Sequence, residues 1–164
     1  MSLIWRAVKK AGIPSTKEPI GLSGTDGKRP DGATLIPWVR GKPLAWDVIV
    51  TDTYATSHIV ETAECAGAAA TKAAATKINK YSCLISTHHF VPIAIETGGS
   101  INIEATEFLS ELGSRRSQIT MKPFEIQYLF QRIFISLQRG NEIAFRNIFN
   151  SEKLQFLPQR AIQT

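Results

Sequence analysis

Leu35-Ile36-Pro37-Trp38-Val39, then Arg40-Gly41-Lys42-Pro43, then Trp46-Asp47-Val48-Ile49-Val50: two strand-like apolar runs flank a turn cluster of Gly, Pro and charge. That order predicts a β-hairpin with strands over residues 33–39 and 43–52. An acidic residue marks each strand. Arg29-Pro30-Asp31-Gly32 puts Asp31 just ahead of the first, and Asp47 lies inside the second. With the turn centred near Arg40-Gly41, Asp47 faces a residue around 33–35 and Asp31 sits a few residues beyond; a bulge at Pro37 would close that gap. Two carboxylates at one end of a sheet can share a Mg²⁺ ion, which takes oxygen ligands and keeps several waters. Taken alone, an aspartate at a strand edge reads more simply as a turn former.

Outward from the hairpin, residues 3–11 read as a short helix closed by Gly12 and Pro14, and residues 13–32 have loop composition. Ser15 and Glu18 have capping-box spacing, but Pro19 follows at once and predicts a turn. Downstream, Ser57 to Leu84 reads as one long helix rich in alanine, the best helix former, whose small side chains let a helix lie close on a sheet. Lys77 shares a helix face with Lys80 and Tyr81. Those lysines are either basic groups aimed at the acidic pair or solvated cations at a helix C-terminus, where positive charge is mildly favoured. His89 to Glu96 is an apolar strand in which Pro92 argues against a central position. Helices follow over residues 103–119 and 123–149, and residues 150–164 read as a frayed basic tail.

A hairpin, a helical crossover and a further strand make an α/β domain: a small mixed β-sheet with the hairpin, a long crossover helix and flanking C-terminal helices. It is one domain over residues 1–149, with an N-terminal helix and loop over 1–32, a core over 33–97 and a helical flank over 101–149.

Composition narrows the partners. At 43% hydrophobic residues the 164-residue chain can pack a core, and it has no apolar run of the roughly 18 residues a spanning helix needs. No membrane partner and an intracellular, soluble protein are the expectation. Two cysteines are too few for a disulfide scaffold or zinc knuckle, and the three histidines lack metal-ligand spacing. Residues 115–164 carry 8 basic and 3 acidic side chains and hold the whole net charge of +5. Arg132, Arg139 and Arg146 recur seven residues apart, one stripe along a helix. This basic third is either a grip for a polyanion or a solvated face whose arginines pair with Glu104, Glu107, Glu111 and Glu125.

Pro30-Asp31, the strand-borne Asp47, Lys77-Ile78-Asn79-Lys80-Tyr81 on the following helix and the apolar strand around Pro92 come in an order that resembles the restriction-like endonuclease of non-LTR retrotransposons. That domain is part of the PD-(D/E)xK nuclease superfamily, at the C-terminus of a reverse transcriptase polyprotein. Residues 12–19, Lys28 to Gly32, Asp52-Thr53, Leu129 to Arg132 and Gln138 to Asn141 extend the resemblance over most of residues 11–149. It implies a restriction-endonuclease-like fold, Asp31 and Asp47 as ligands of Mg²⁺ or Mn²⁺, and Lys77 or Lys80 as a catalytic lysine migrated onto the helix, because Ile49 stands two residues after Asp47 where the superfamily holds its lysine. Glu96 is either a further acid near the site or a cap on the sheet edge.

The implied function is a Mg-dependent endonuclease that nicks target DNA to prime reverse transcription. Its partners are DNA, or RNA in its place, and an upstream reverse transcriptase domain, and its compartment is the nucleus. No Tyr-x-Asp-Asp polymerase motif and no Cys/His knuckle is present, so the chain reads as a fragment or degenerate copy of such an element. The rivals are a non-catalytic nucleic-acid-binding remnant and a structural domain docked on a polymerase.

Overall fold

The hairpin turns on Arg40 and Gly41, whose φ angles of 49° and 74° are both positive. Positive φ at both central residues is the signature of the type I′ turn, whose twist matches that of the flanking strands. Glycine adopts this region freely; for arginine it costs on the order of 1 kcal/mol. The computed structural model of the chain describes residues 2–22, 27 and 29–155, with side chains described only within residues 3–149. The hairpin strands are β2 (Gly32–Val39) and β3 (Lys42–Thr51).

Their pairing is irregular in a way that matters. Val39 pairs with Lys42, Pro37 with Pro43, Ala33 with Ala45 and Gly32 with Trp46, with register shifts on both sides of Pro37. An uninterrupted ladder from the turn would carry Thr34 opposite Asp47. The shifts slide β2 so that the register of Ala33 and Gly32, continued by one residue, sets Asp31 there. Thr34 fills the break: its Oγ1 accepts from the Leu44 N–H at 2.9 Å and donates to the Ile36 carbonyl at 2.8 Å.

A short strand β1 (Ser15–Lys17) adds to the far side of β2, and β4 (His89–Glu96) lies along β3, giving the order β1-β2-β3-β4. The first two pairings are antiparallel and the last is parallel. A parallel neighbour requires a crossover. Here it runs through α2 (Ile59–Glu64) and α3 (Ala68–Lys80).

Alternation along the strands sorts side chains between two faces. Leu44 and Trp46 with Val91, Ile93 and Ile95 face a core built from α1 (Ser2–Lys10), α4 (Ile103–Thr120) and α5 (Glu125–Gln155). Ala45, Phe90 and Ala94 face the other way, onto Tyr81, Leu84, Ala70 and Ala74 of α3 and the turn after it. Trp46 explains Gly32: a Cβ there would lie 2.2 Å from the indole. Helix α1 ends in a Schellman motif, with Gly12 at φ 68° donating to Lys9 and Ile13 donating to Val8.

The free edge of β4 is closed by the segment that follows it: the Glu96 N–H donates to the Ser100 carbonyl at 2.8 Å and the Asn102 N–H to the Ala94 carbonyl at 3.2 Å. Asn102 donates to the Pro92 carbonyl at 3.0 Å and accepts from the Ala94 N–H at 2.9 Å. Pro92 thus sits on an edge strand, where a missing N–H is tolerated.

Three expectations change. The segment 13–32 is not all loop, since Ser15–Lys17 pairs with β2. The single helix over 57–84 is two, because Gly67 at φ 88° breaks the chain between α2 and α3, and Lys80 ends the second. Helix α5 runs on through Gln155, so the first part of the expected tail is helical; residues 156–164 lie outside the described residues.

Candidate functional site

Asp47 lies in the middle of β3, on the face that α3 covers, and is 5% exposed. Asp31 takes the position opposite it at the mouth of β2, by continuation of the Gly32–Trp46 and Ala33–Ala45 pairs. Directly opposed residues of an antiparallel pair point to the same side, with Cβ atoms roughly 5 Å apart. The Asp31 carboxylate also accepts from the Val48 N–H at 2.8 Å, which ties it to the backbone beside Asp47. Tyr81 holds the approach to this corner: its hydroxyl donates to the Arg29 carbonyl at 2.7 Å, and the residue is fully buried.

The amine comes from above. Ala70, Ala74, Lys77 and Tyr81 fall at spacings of four, three and four, so they form one stripe along α3 and into its C-cap. The alanines rest on the sheet. Lys77, on the same stripe, reaches Asp47 with its Nζ 2.5 Å from Oδ2. The pair is largely buried, with side-chain exposures of 17% for Lys77 and 7% for Asp47. Lys80 is exposed, and its ammonium sits 4.9 Å over the Tyr81 ring, so it acts on Asp47 only through its charge.

Burial pushes the Asp47 carboxyl above the ordinary aspartate range; the Lys77 hydrogen bond and charge pull it back, the Asp31 charge raises it, and Lys80 lowers it. Desolvation disfavours a carboxylate, and nearby positive charge or hydrogen-bond donors oppose that. Asp31 and Asp47, two like charges placed opposite each other with the deeper one already strained by burial, therefore form a donor set that a divalent cation would relieve. Two carboxylates with waters completing the shell suit Mg²⁺. Among the described residues, no group of three or more His, Cys, Asp or Glu side chains is placed to hold a metal, so the fit rests on these two acids.

Glu96 is elsewhere. It pairs with Thr51 in the β3–β4 register, four residues along from the Asp47 level. Its Oε1 accepts from the Ala70 N–H at 3.1 Å, so it caps the first turn of α3 rather than joining the acidic pair. Sequence reasoning missed Thr34 and Tyr81 as positioning residues. Tyr81 was legible from the Ala70–Ala74–Lys77–Tyr81 stripe; Thr34, three residues before Pro37, carries no sequence signal of its role.

Of the basic third, Arg115 pairs with Glu111 at 2.6 Å, buried Arg116 with Glu125 at 2.5 Å, and exposed Arg146 with Glu142 at 2.6 Å. Arg132 and Arg139 are exposed on the side of α5 away from buried Leu129, Ile133 and Leu137. The arginine stripe is thus outward, with one member in a surface ion pair of its own helix. No helix among the described residues is long and apolar enough to cross a membrane. Compared with protein-family models and with curated proteins, the sequence has no match to either.

Proposed function

We propose that the chain is a metal-dependent phosphodiesterase that nicks DNA, in the setting its motif order implies: the C-terminal nuclease of a retrotransposon polyprotein, working in the nucleus beside an upstream reverse transcriptase domain. The observation that carries this reading is the opposition of Asp31 and Asp47 across the hairpin with the Lys77 ammonium 2.5 Å from Asp47. Mg²⁺ or Mn²⁺ held by Asp31 and Asp47 would supply Lewis-acid stabilisation of charge on a scissile phosphate. Lys77 opposes the rise that burial imposes on the Asp47 carboxyl and places a largely buried ammonium where it can meet a phosphate reaching the same corner. Asp31, anchored by the Val48 N–H, faces the open end of the hairpin, and Tyr81 keeps the Arg29–Asp31 segment in place. Arg132, Arg139 and Arg146 would hold flanking phosphates without reading sequence.

The closed Lys77–Asp47 pair also favours a second reading, a nucleic-acid-binding remnant in which a former site survives as a structural ion pair. Incubation of supercoiled plasmid with the full chain separates the two. Nicking with Mg²⁺ that stops in chelator and falls by at least ~10²-fold in Asp47→Asn, with the circular dichroism spectrum kept, supports the nuclease. A folded wild type that binds plasmid yet never nicks it with Mg²⁺ or Mn²⁺ overturns the nuclease and leaves the remnant.

A further inference from the structure

A cleft of about 330 Å³ opens at the turn end of the sheet, lined by Val39, Ile78, Ile85 and Phe90 and by Arg40, Lys42, His88 and His89. Among the described residues, its wall is apolar, its polar side chains are Arg40, Lys42, His88 and His89, and no carboxylate lines it. Two observations set this cleft apart from a chance hollow. Arg40 occupies the first central position of the type I′ turn, where asparagine, aspartate or glycine would sit without strain. Backbone strain of this kind persists where a side chain is wanted at that point for another reason. Lys42, in turn, is fixed by donation from its ammonium to the Ile85 carbonyl at 2.8 Å, bridging the strand to the far wall. Burial lowers the His88 imidazole below its ordinary range, and Arg40 and Lys42 bring guanidinium and ammonium groups to the lining.

The cleft lies beside the acidic pair. Phe90 pairs with Ala45 and His89 with Leu44, two and three residues along β3 from Asp47 and, in the case of Phe90, on the same face. At ~3.3 Å per residue the cleft begins roughly 7–10 Å from Asp47, within reach of a neighbouring phosphate on the same strand. Phe90 is backed by Tyr81, with ring centroids 5.0 Å apart, so its ring is held in place from behind.

We propose that this cleft takes one nucleotide unit of a nucleic-acid strand, with its base against Phe90, Ile78 and Ile85 and its phosphate on Arg40 and Lys42. It would anchor the strand a short step from the Asp31–Asp47 corner. The inference deepens the nuclease reading and rests on it for that role, but binding itself needs neither the metal nor catalysis. Aromatic stacking under a base is tolerant of sequence, so the cleft positions a strand without choosing one.

The test is a titration of the full ¹⁵N-labelled chain with thymidine 5′-monophosphate in chelator, followed by amide shifts, and repeated with inorganic phosphate. The expected result is saturable shifts clustered at Ile78, Ile85 and Phe90, with phosphate at least tenfold weaker. Arg40→Asn restores a residue the turn prefers and removes the charge; it should raise thermal stability while weakening the nucleotide at least fivefold. Phosphate binding as tightly as the nucleotide, shifts elsewhere on the surface, or unchanged affinity in Arg40→Asn would each overturn the proposal. Asp47→Asn separates it from the nuclease reading: nicking lost with nucleotide shifts kept supports both, nucleotide binding by a chain that never nicks refutes only the nuclease, and nicking by a chain without these shifts refutes only the cleft.

Discussion

Lys77→Met should destabilise the chain in a strongly pH-dependent way. Asp47 and Lys77 are 7% and 17% exposed at the side chain, and their contact is direct. Removing one partner of a buried pair costs about 3–5 kcal/mol, because the other is left as an uncompensated charge. The residual exposure of Lys77 places this pair at the lower end, about 3 kcal/mol at pH 7. For a chain of this size that is a fall in Tm of roughly 6–12 °C.

The sign with pH follows from the direction of the Asp47 shift. Burial raises its carboxyl above the unfolded value, with Lys77 opposing. The folded chain therefore holds that proton to higher pH than the unfolded chain, and stability falls as pH climbs from about 4 through the folded pKa, then levels off. Without Lys77 the two largest opposing contributions vanish and the falling window extends upward. Towards low pH, as Asp47 takes up its proton, Met should cost progressively less, since its apolar stem replaces that of the lysine. The gap should open with pH and plateau once the Asp47 of the variant has ionised. Urea titrations at pH 4, 5.5 and 7.5 measure it, and the double variant Asp47→Asn/Lys77→Met should recover most of the loss. A loss equal at all three pH values, or a double variant no better than Lys77→Met, would refute the buried-pair reasoning.

Thr34→Val should cost about 1–2 kcal/mol, because it strips the Leu44 N–H of its acceptor at the bulge; amide exchange at Leu44 checks it, and protection unchanged from wild type would show that the bulge does not need the hydroxyl. Replacing Arg132, Arg139 and Arg146 with Gln should make the log–log salt slope of DNA binding less negative by about 2–3, from roughly −4 to −5 in the wild type. A fluorescence-anisotropy titration at several salt concentrations reads this directly, and an unchanged slope would make the stripe ordinary solvated surface.

The hairpin, the crossover and the C-terminal helices were legible because each rests on periodicity or turn chemistry. Arg40-Gly41 marks the turn, and β4 is long enough and apolar enough to read as a strand despite Pro92. β1 was not, since three polar residues, Ser15 to Lys17, form a strand only by borrowing the edge of β2. The break at Gly67 was hidden by alanine, whose propensity supports a helix on either side of a glycine that turns the chain by taking φ 88°. In the site, the two aspartates were legible as a pair but their register was not. The irregularity at Pro37 was expected and is found there as two register shifts; Thr34 entering the ladder was not, because a side chain that substitutes for a backbone acceptor has no periodic signature.

The location of the amine follows from the packing of the sheet. The residue two after Asp47 is Ile49, which shares its face of β3. Ile49 packs against the cluster of Ala70, Ala74 and Ala94, where α3 rests on the sheet. A lysine at 49 would have to place its stem against that alanine face, at the cost of desolvating its ammonium. The same close approach that closes the strand position opens a helical one. Because the alanines are small, α3 lies low enough for a lysine one turn further along the stripe to reach Asp47. The run of alanine, the isoleucine at 49 and the lysine at 77 are thus one arrangement. Enlarging the alanine contact would lift Lys77 from Asp47 before it touched either residue of the pair.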